Sequence, residues 1–123
     1  TVKSPDRFVR ASFFNKNVRR ATTSDKAVDI VRSIIMNVSV PEDYAVEGEP
    51  NLSSTQWRSV ADLNRRRYYF DLVGNLGVFY IDLSALDLRP GSGTRRLDTT
   101  ATVDFAGCAN GLLRPTPPFT PAY

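Results

Sequence analysis

Apolar residues recur at helical spacing early in the chain and at strand spacing near its middle. Residues 24–38 carry Ala27, Val28, Ile30, Val31, Ile34, Ile35 and Val38, a stripe broad enough for a buried helix. Ser24 is the predicted cap, and Asp25 lies in the first turn, where the helix dipole favours an acid. Pro41 stops the segment. Upstream, Ser4-Pro5-Asp6 reads as another helix start, with Ser4 as cap and Pro5 at the first position. Val9, Phe13 and the pair Ala11/Phe14 would share its inward stripe. A strand is the alternative there, because Phe8, Val9, Phe13 and Phe14 are all β-formers. Residues 17–23 are polar and basic and read as a loop.

Residues 41–53 are acidic and punctuated by Pro and Gly, the pattern of a surface loop. Strand-like runs follow at Gln56–Leu63, Arg67–Val73 and Leu76–Leu83, separated by turns near Asn64-Arg65 and Gly74-Asn75. The short Gly/Asn connection predicts antiparallel hairpins. Tyr68, Phe70 and Leu72 fall on one face of the middle run, and Tyr69, Asp71 and Val73 on the other. Aromatic residues on both faces predict a sheet covered on both sides. From 90 onward the pattern weakens, and the Pro-rich stretch 114–121 excludes helix or central strand. It is expected as an extended tail that is ordered only where it docks. The order is therefore α+β: helices within 4–38, antiparallel strands within 54–88, and an irregular tail over 90–123. Two helices are too few to cover such a sheet, so 1–123 is expected to be part of a larger domain.

Composition removes several chemistries. Histidine is absent, which excludes His-based triads, His metal ligands and a His proton shuttle from these 123 residues. Cys108 is the single cysteine, so neither an intrachain disulfide nor a multi-Cys zinc site can form. The net charge of +3 is mildly basic and does not by itself imply a nucleic-acid partner. No apolar run approaches the roughly 18 residues of a membrane span, and no apolar leader opens the chain.

Four places could carry chemistry. Thr1 could act as an N-terminal nucleophile with its own amine as base, or it could be simply the first residue of a fragment. Arg65-Arg66-Arg67 beside Tyr68-Tyr69, with Lys3, Arg7, Arg10, Lys16, Arg19 and Arg20, could bind nucleic acid through phosphate contacts and stacking, or could be a solvated turn and helix face. Cys108 lies among small residues but has no histidine to activate it, which favours an inert thiol. Arg7 and Arg10 share a helical face among apolar residues, as an anion clamp or as snorkelling surface side chains.

Ser4-Pro5-Asp6-Arg7-Phe8-Val9-Arg10-Ala11 resembles the Ser/Pro-x-Arg-Phe-(Val/Ile)-Arg-(Ala/Val) stretch of the choloylglycine hydrolase family, which includes conjugated bile salt hydrolases and penicillin V acylases. Ser54-Thr55-Gln56-Trp57-Arg58-Ser59 followed by Arg67-Tyr68-Tyr69-Phe70 is similar to that family's Thr-Gln-(Tyr/Trp)-x-Ser hairpin and its downstream Tyr-Tyr-(Tyr/Phe) strand. Gln56-Trp57 and Asp62-Leu63 look like the Gram-negative branch. The resemblance covers residues 4–88 and implies part of an αββα sandwich of the N-terminal nucleophile hydrolases. It implies cleavage of a linear acyl amide through a Cys thioester, with Arg7 as this segment's catalytic residue and the nucleophile outside the chain. It further implies a partner portion carrying that Cys, an acyl-amide ligand, a homo-oligomer that is a tetramer in relatives, and a periplasmic or secreted location. It implies no metal or organic cofactor, and neither nucleic acid nor membrane is expected as a partner. The chain alone is expected to be inactive. A small basic nucleic-acid module and a non-catalytic scaffold piece are the rival readings.

Overall fold

The computed structural model describes residues 1–50 and 52–122. Two helices, α1 (Ser4–Asn17) and α2 (Ser24–Asn37), precede all the strands. α1 opens with Pro5 and Asp6 in its first turn, where a missing N–H and a negative charge are both tolerated. Lys3, rather than Ser4, holds its cap position and makes no side-chain cap bond. The cap of α2 likewise falls one residue before the expected Ser24: Thr23 Oγ1 accepts from the Lys26 N–H at 3.2 Å. At the far end Asn37 and Ser39 donate to the carbonyls of Ser33 and Ile35, so the last turn is closed before Pro41 is reached.

The inward face of α1 differs from the expected one. Arg7, Arg10, Ala11 and Phe14 are half-buried, at the i, i+3, i+4, i+7 spacing of one helical face. Val9 and Phe13 are instead 64% and 63% exposed, and Phe8 is 73% exposed. The two arginine stems supply apolar body on the packed face while their heads find polar partners, a use of arginine that a tally of apolar letters misses.

The main sheet has the order β1-β2-β3-β5, with β1 (Trp57–Asp62), β2 (Arg67–Leu72), β3 (Phe79–Asp82) and β5 (Gly107–Cys108). The first two pairings are antiparallel, and β3 runs parallel to β5. β3 starts at Phe79 rather than Leu76, so the connection after β2 is longer than a tight hairpin. Gly77 lies within that connection. A Cβ there would lie 2.2 Å from the Phe105 carbonyl oxygen, so only glycine lets the chain close on the later segment.

The segment after 90 is more structured than its pattern suggested. β4 (Thr94–Arg96) pairs antiparallel with β6 (Arg114–Thr116), placing Pro115 opposite Arg95 in a two-stranded ribbon. An edge position tolerates the missing N–H of proline. These strands are too short to show a period of two.

The sheet is covered on both faces, by different means. α2 packs across β1 on one face. On the other, Phe79, Ile81 and Ala109 form a buried cluster roofed by Leu86, Leu97, Phe105, Leu112 and Leu113. Phe79 is 1% exposed and stacks on Phe70 at 5.4 Å between centroids. Burying a side chain of that size contributes about 2–3 kcal/mol. Among the described residues, no helix is long and apolar enough to cross a membrane.

Candidate functional site

The N-terminus of α1 lies against the C-terminal end of α2, and Arg7 joins them. Its Nε donates to the Val38 carbonyl oxygen at 2.6 Å. Val38 is the cap residue of α2, where main-chain carbonyls lack helical partners and carry partial negative charge. The bond fixes one edge of the guanidinium and leaves the terminal nitrogens for another ligand. Asp6 does not neutralise Arg7, as an adjacent acid could. Its carboxylate instead takes the Thr1 ammonium at 3.1 Å and the Thr1 hydroxyl. Arg10, one turn on, donates from Nη1 to the Thr1 carbonyl at 2.9 Å, and its buried Nε has no partner among the described residues.

Val38 in turn leads to β1. Val40 accepts from the Thr55 N–H at 3.0 Å, and Thr55 Oγ1 accepts from the Val40 N–H at 2.9 Å. Arg7 is therefore tied, through the α2 terminus, to the start of β1.

A second charged group covers the α2-facing side of the sheet. Arg58 and Asp71 are direct cross-strand neighbours and form a two-armed pair at 3.0 and 3.2 Å. Asp62 faces Arg67, which faces Asp82 and lies over the Tyr80 ring at 4.7 Å. Arg65 reaches back to Asp62 and across to Asp25, both at 2.6 Å, and donates to the Tyr69 hydroxyl. That grip holds the Asp62 carboxyl below its usual value and raises Arg65. The Ser84 hydroxyl, followed by Arg67, lowers Asp82. Arg65 and Arg67, two members of the basic run, therefore spend their side chains on carboxylates and aromatic rings within the chain.

Thr1 and Cys108 are the other two candidates. The Thr1 amine pairs with the Asp6 carboxylate. Cys108 is an exposed thiol on β5 opposite Tyr80. Neither makes a hydrogen bond to Arg7 among the described residues. An open cleft of about 590 Å³ lies by the 86–95 segment, lined by Ile81, Leu86, Arg89, Arg95 and Leu113 among others, and Arg7 is not in its wall. Among the described residues, no group of three or more carboxylates or thiols could hold a metal ion.

Arg7 is held at a helix junction, and the relatives of the chain bear on the family to which this arrangement belongs. The family model of the linear amide C–N hydrolases, choloylglycine hydrolase family, matches residues 1–105. The chain belongs to that family. It is 34% identical, over 134 aligned positions, to the penicillin V acylase of Pectobacterium atrosepticum, an alignment covering 97% of the chain and 36% of that protein. The solved structure of a penicillin V acylase from Agrobacterium tumefaciens matches with a TM-score of 0.85 and 39% identity, over 97% of this chain and 38% of that one. This choloylglycine hydrolase segment thus spans little more than a third of the length of these relatives. Its two helices and mixed sheet are part of the α+β, αββα architecture of N-terminal nucleophile hydrolases.

The motif singles out Arg7, but the Val38 anchor could not be read from it, because Val38 contributes a main-chain oxygen. The pairs on the sheet were also missed. Their signal was the register: once the turn at 63–66 fixes Asp62 opposite Arg67, Arg58 must face Asp71.

Proposed function

We propose that this chain supplies the C-terminal portion of a penicillin V acylase-type amidohydrolase, with Arg7 as its contribution to catalysis. In the reaction, a Cys thiolate from the remaining portion attacks the acyl carbon of a linear amide. The sulfur–carbon bond forms, the carbon–nitrogen bond breaks, and the amine leaves with a proton from the α-ammonium. Water then hydrolyses the thioester and returns the thiol. Arg7 stabilises the thiolate and the oxyanion that develops on the carbonyl oxygen. A guanidinium suits this role because it stays charged and presents several donors at once.

The observation that carries the reading is the fixed, un-neutralised Arg7. It is half-buried, anchored by Nε alone, and makes no ion pair among the described residues. The likeness to penicillin V acylases supports an acyl amide with an apolar acyl group as substrate, phenoxyacetyl penicillin first among candidates. The same family reading leads us to propose an exported, oligomeric enzyme.

The test is hydrolysis of phenoxymethylpenicillin by the complete protein. Arg7→Ala should lower kcat by about 10²–10³-fold, the usual cost of one oxyanion-stabilising group. Arg7→Lys should recover only part, because lysine lacks the planar fork. Unchanged turnover in both variants would remove Arg7 from the site.

A further inference from the structure

The later segment closes the main sheet along β3, and the closure ends on a side chain. Gly107 and Ala109 donate to the carbonyls of Val78 and Tyr80, so the main chain pairs as far as Tyr80. Beyond that point the Asn110 side chain takes over. It accepts from the Asp82 N–H and donates to the Asp82 carbonyl, both at 2.8 Å.

Asn110 is followed by Gly111, and no other asparagine in the sequence precedes a glycine. That step has a chemistry of its own. A glycine has no Cβ to shield its main-chain nitrogen or to restrict its approach to the side-chain carbonyl carbon of the residue before it. The bond between the Gly111 nitrogen and Asn110 Cγ forms and closes a succinimide ring. The Cγ–Nδ2 bond breaks, and Nδ2 leaves as ammonia with the proton that the Gly111 nitrogen gives up. Water then opens the ring at either carbonyl. Attack at Cγ gives aspartate, and attack at the main-chain carbon gives isoaspartate.

The fold leaves the attacking atom free and holds the atom attacked. The Gly111 N–H makes no hydrogen bond among the described residues. The Asn110 amide is engaged at both its oxygen and its nitrogen, and the 3-10 turn Asn110–Leu112 is closed by the N–H groups of Leu112 and Leu113. Gly111 is not demanded by the turn. Its φ lies outside the left-handed region, and a Cβ there would meet no atom within 4 Å. Gly77, by contrast, is required by its contact with Phe105.

We propose that Asn110-Gly111 is a spontaneous deamidation site, gated by opening of the β3–β5 edge. While both bonds to Asp82 hold, the side-chain carbonyl carbon stays out of reach of the Gly111 nitrogen. When β5 and the turn lift from β3, the ring can form. The product does not close the edge as asparagine did. A carboxylate at 110 still accepts from the Asp82 N–H, but its second oxygen meets the Asp82 carbonyl where Nδ2 donated, and two acceptors face each other. Isoaspartate also lengthens the main chain inside the turn. Each event therefore leaves the edge easier to open. The proposal stands independently of the amidohydrolase reading.

The test is peptide mapping by mass spectrometry on the complete protein, held at mildly alkaline pH in buffer and in denaturing urea. In urea the peptide containing Asn110 should convert to aspartate and isoaspartate, and in buffer at least about a hundredfold more slowly. Below the unfolding transition, added urea should speed conversion and exchange of the Asp82 amide in parallel, because one opening exposes both. Gly111→Ala should suppress conversion in urea and keep the melting temperature near that of the parent, since its methyl enters open space. Asn110→Asp, the product itself, should melt below the parent. No conversion in urea, or conversion undiminished in Gly111→Ala, would overturn the site. Equal rates in buffer and urea, or conversion that does not follow Asp82 exchange, would overturn the gate. An unchanged melting temperature for Asn110→Asp would overturn the claim that the product loosens the edge.

Discussion

Arg7 Nε donates to the Val38 carbonyl oxygen at 2.6 Å, and this bond orients the guanidinium at the junction of α1 and α2. A long side chain would otherwise sample many rotamers, at a cost of about 1.5–2 kcal/mol when it is fixed. Here part of that cost is met before any substrate arrives. The anchor is a carbonyl at a helix C-terminus, which favours a cation without cancelling its charge as a carboxylate would.

The Arg58–Asp71 pair should behave as a partly buried ion pair. Asp71→Ala strands a half-buried guanidinium and should lower stability by about 1–2 kcal/mol, after allowance for its solvent contact. A double-mutant cycle with Arg58→Met measures the coupling. A coupling near zero would show that the two-armed geometry adds nothing.

Asn110→Ala removes both side-chain partners of the Asp82 main chain at the closed sheet edge. The expected loss is about 1–3 kcal/mol, because a donor and an acceptor are left together without partners. Denaturant unfolding reads this directly, and a loss well below 1 kcal/mol would mean that water replaces both bonds.

Acid should weaken the fold within a narrow window. Asp62, Asp82, Asp87 and Asp98 are all lowered from the usual 3.8, by the Arg65 guanidinium, the Ser84 hydroxyl, the Arg89 guanidinium and the Thr100 hydroxyl respectively. A carboxyl lowered on folding stabilises above its unfolded value, and that contribution is lost as pH falls through the folded value. The melting temperature should therefore hold between about pH 5 and 7 and fall below about pH 4. Asp62→Asn should flatten the fall, and an unaltered slope would show that Asp62 does not carry it.

Gly77→Ala should be destabilising by about 1–3 kcal/mol, because the new methyl meets a main-chain oxygen that cannot swing away. A melting temperature equal to that of the parent would show that the 73–78 connection moves freely.

The sequence revealed most where a physical signal is repetitive. The stripe of α2 and the alternation of β1 and β2 each extend over enough residues to define a period, and all three elements lie where the pattern put them. On α1 the pair Ala11/Phe14 faces inward as expected, but Val9 and Phe13 do not, because Arg7 and Arg10 serve as packing residues there. The strands after 90 were invisible because two or three residues define no period, and their order depends on contacts such as Gly77 against Phe105. Arg7 was singled out by its motif alone, and its Val38 anchor needed the main chain.

The proposed role of Arg7 is tested most directly at the proposed Cys nucleophile. The measurement is the pH dependence of alkylation of that thiol in the complete protein, in a Cys108→Ser background that removes the exposed second thiol. Removing a nearby cation should raise the apparent thiol pKa by about 1–3 units in Arg7→Ala. Superimposable profiles for Arg7 and Arg7→Ala would contradict a guanidinium acting on the nucleophile.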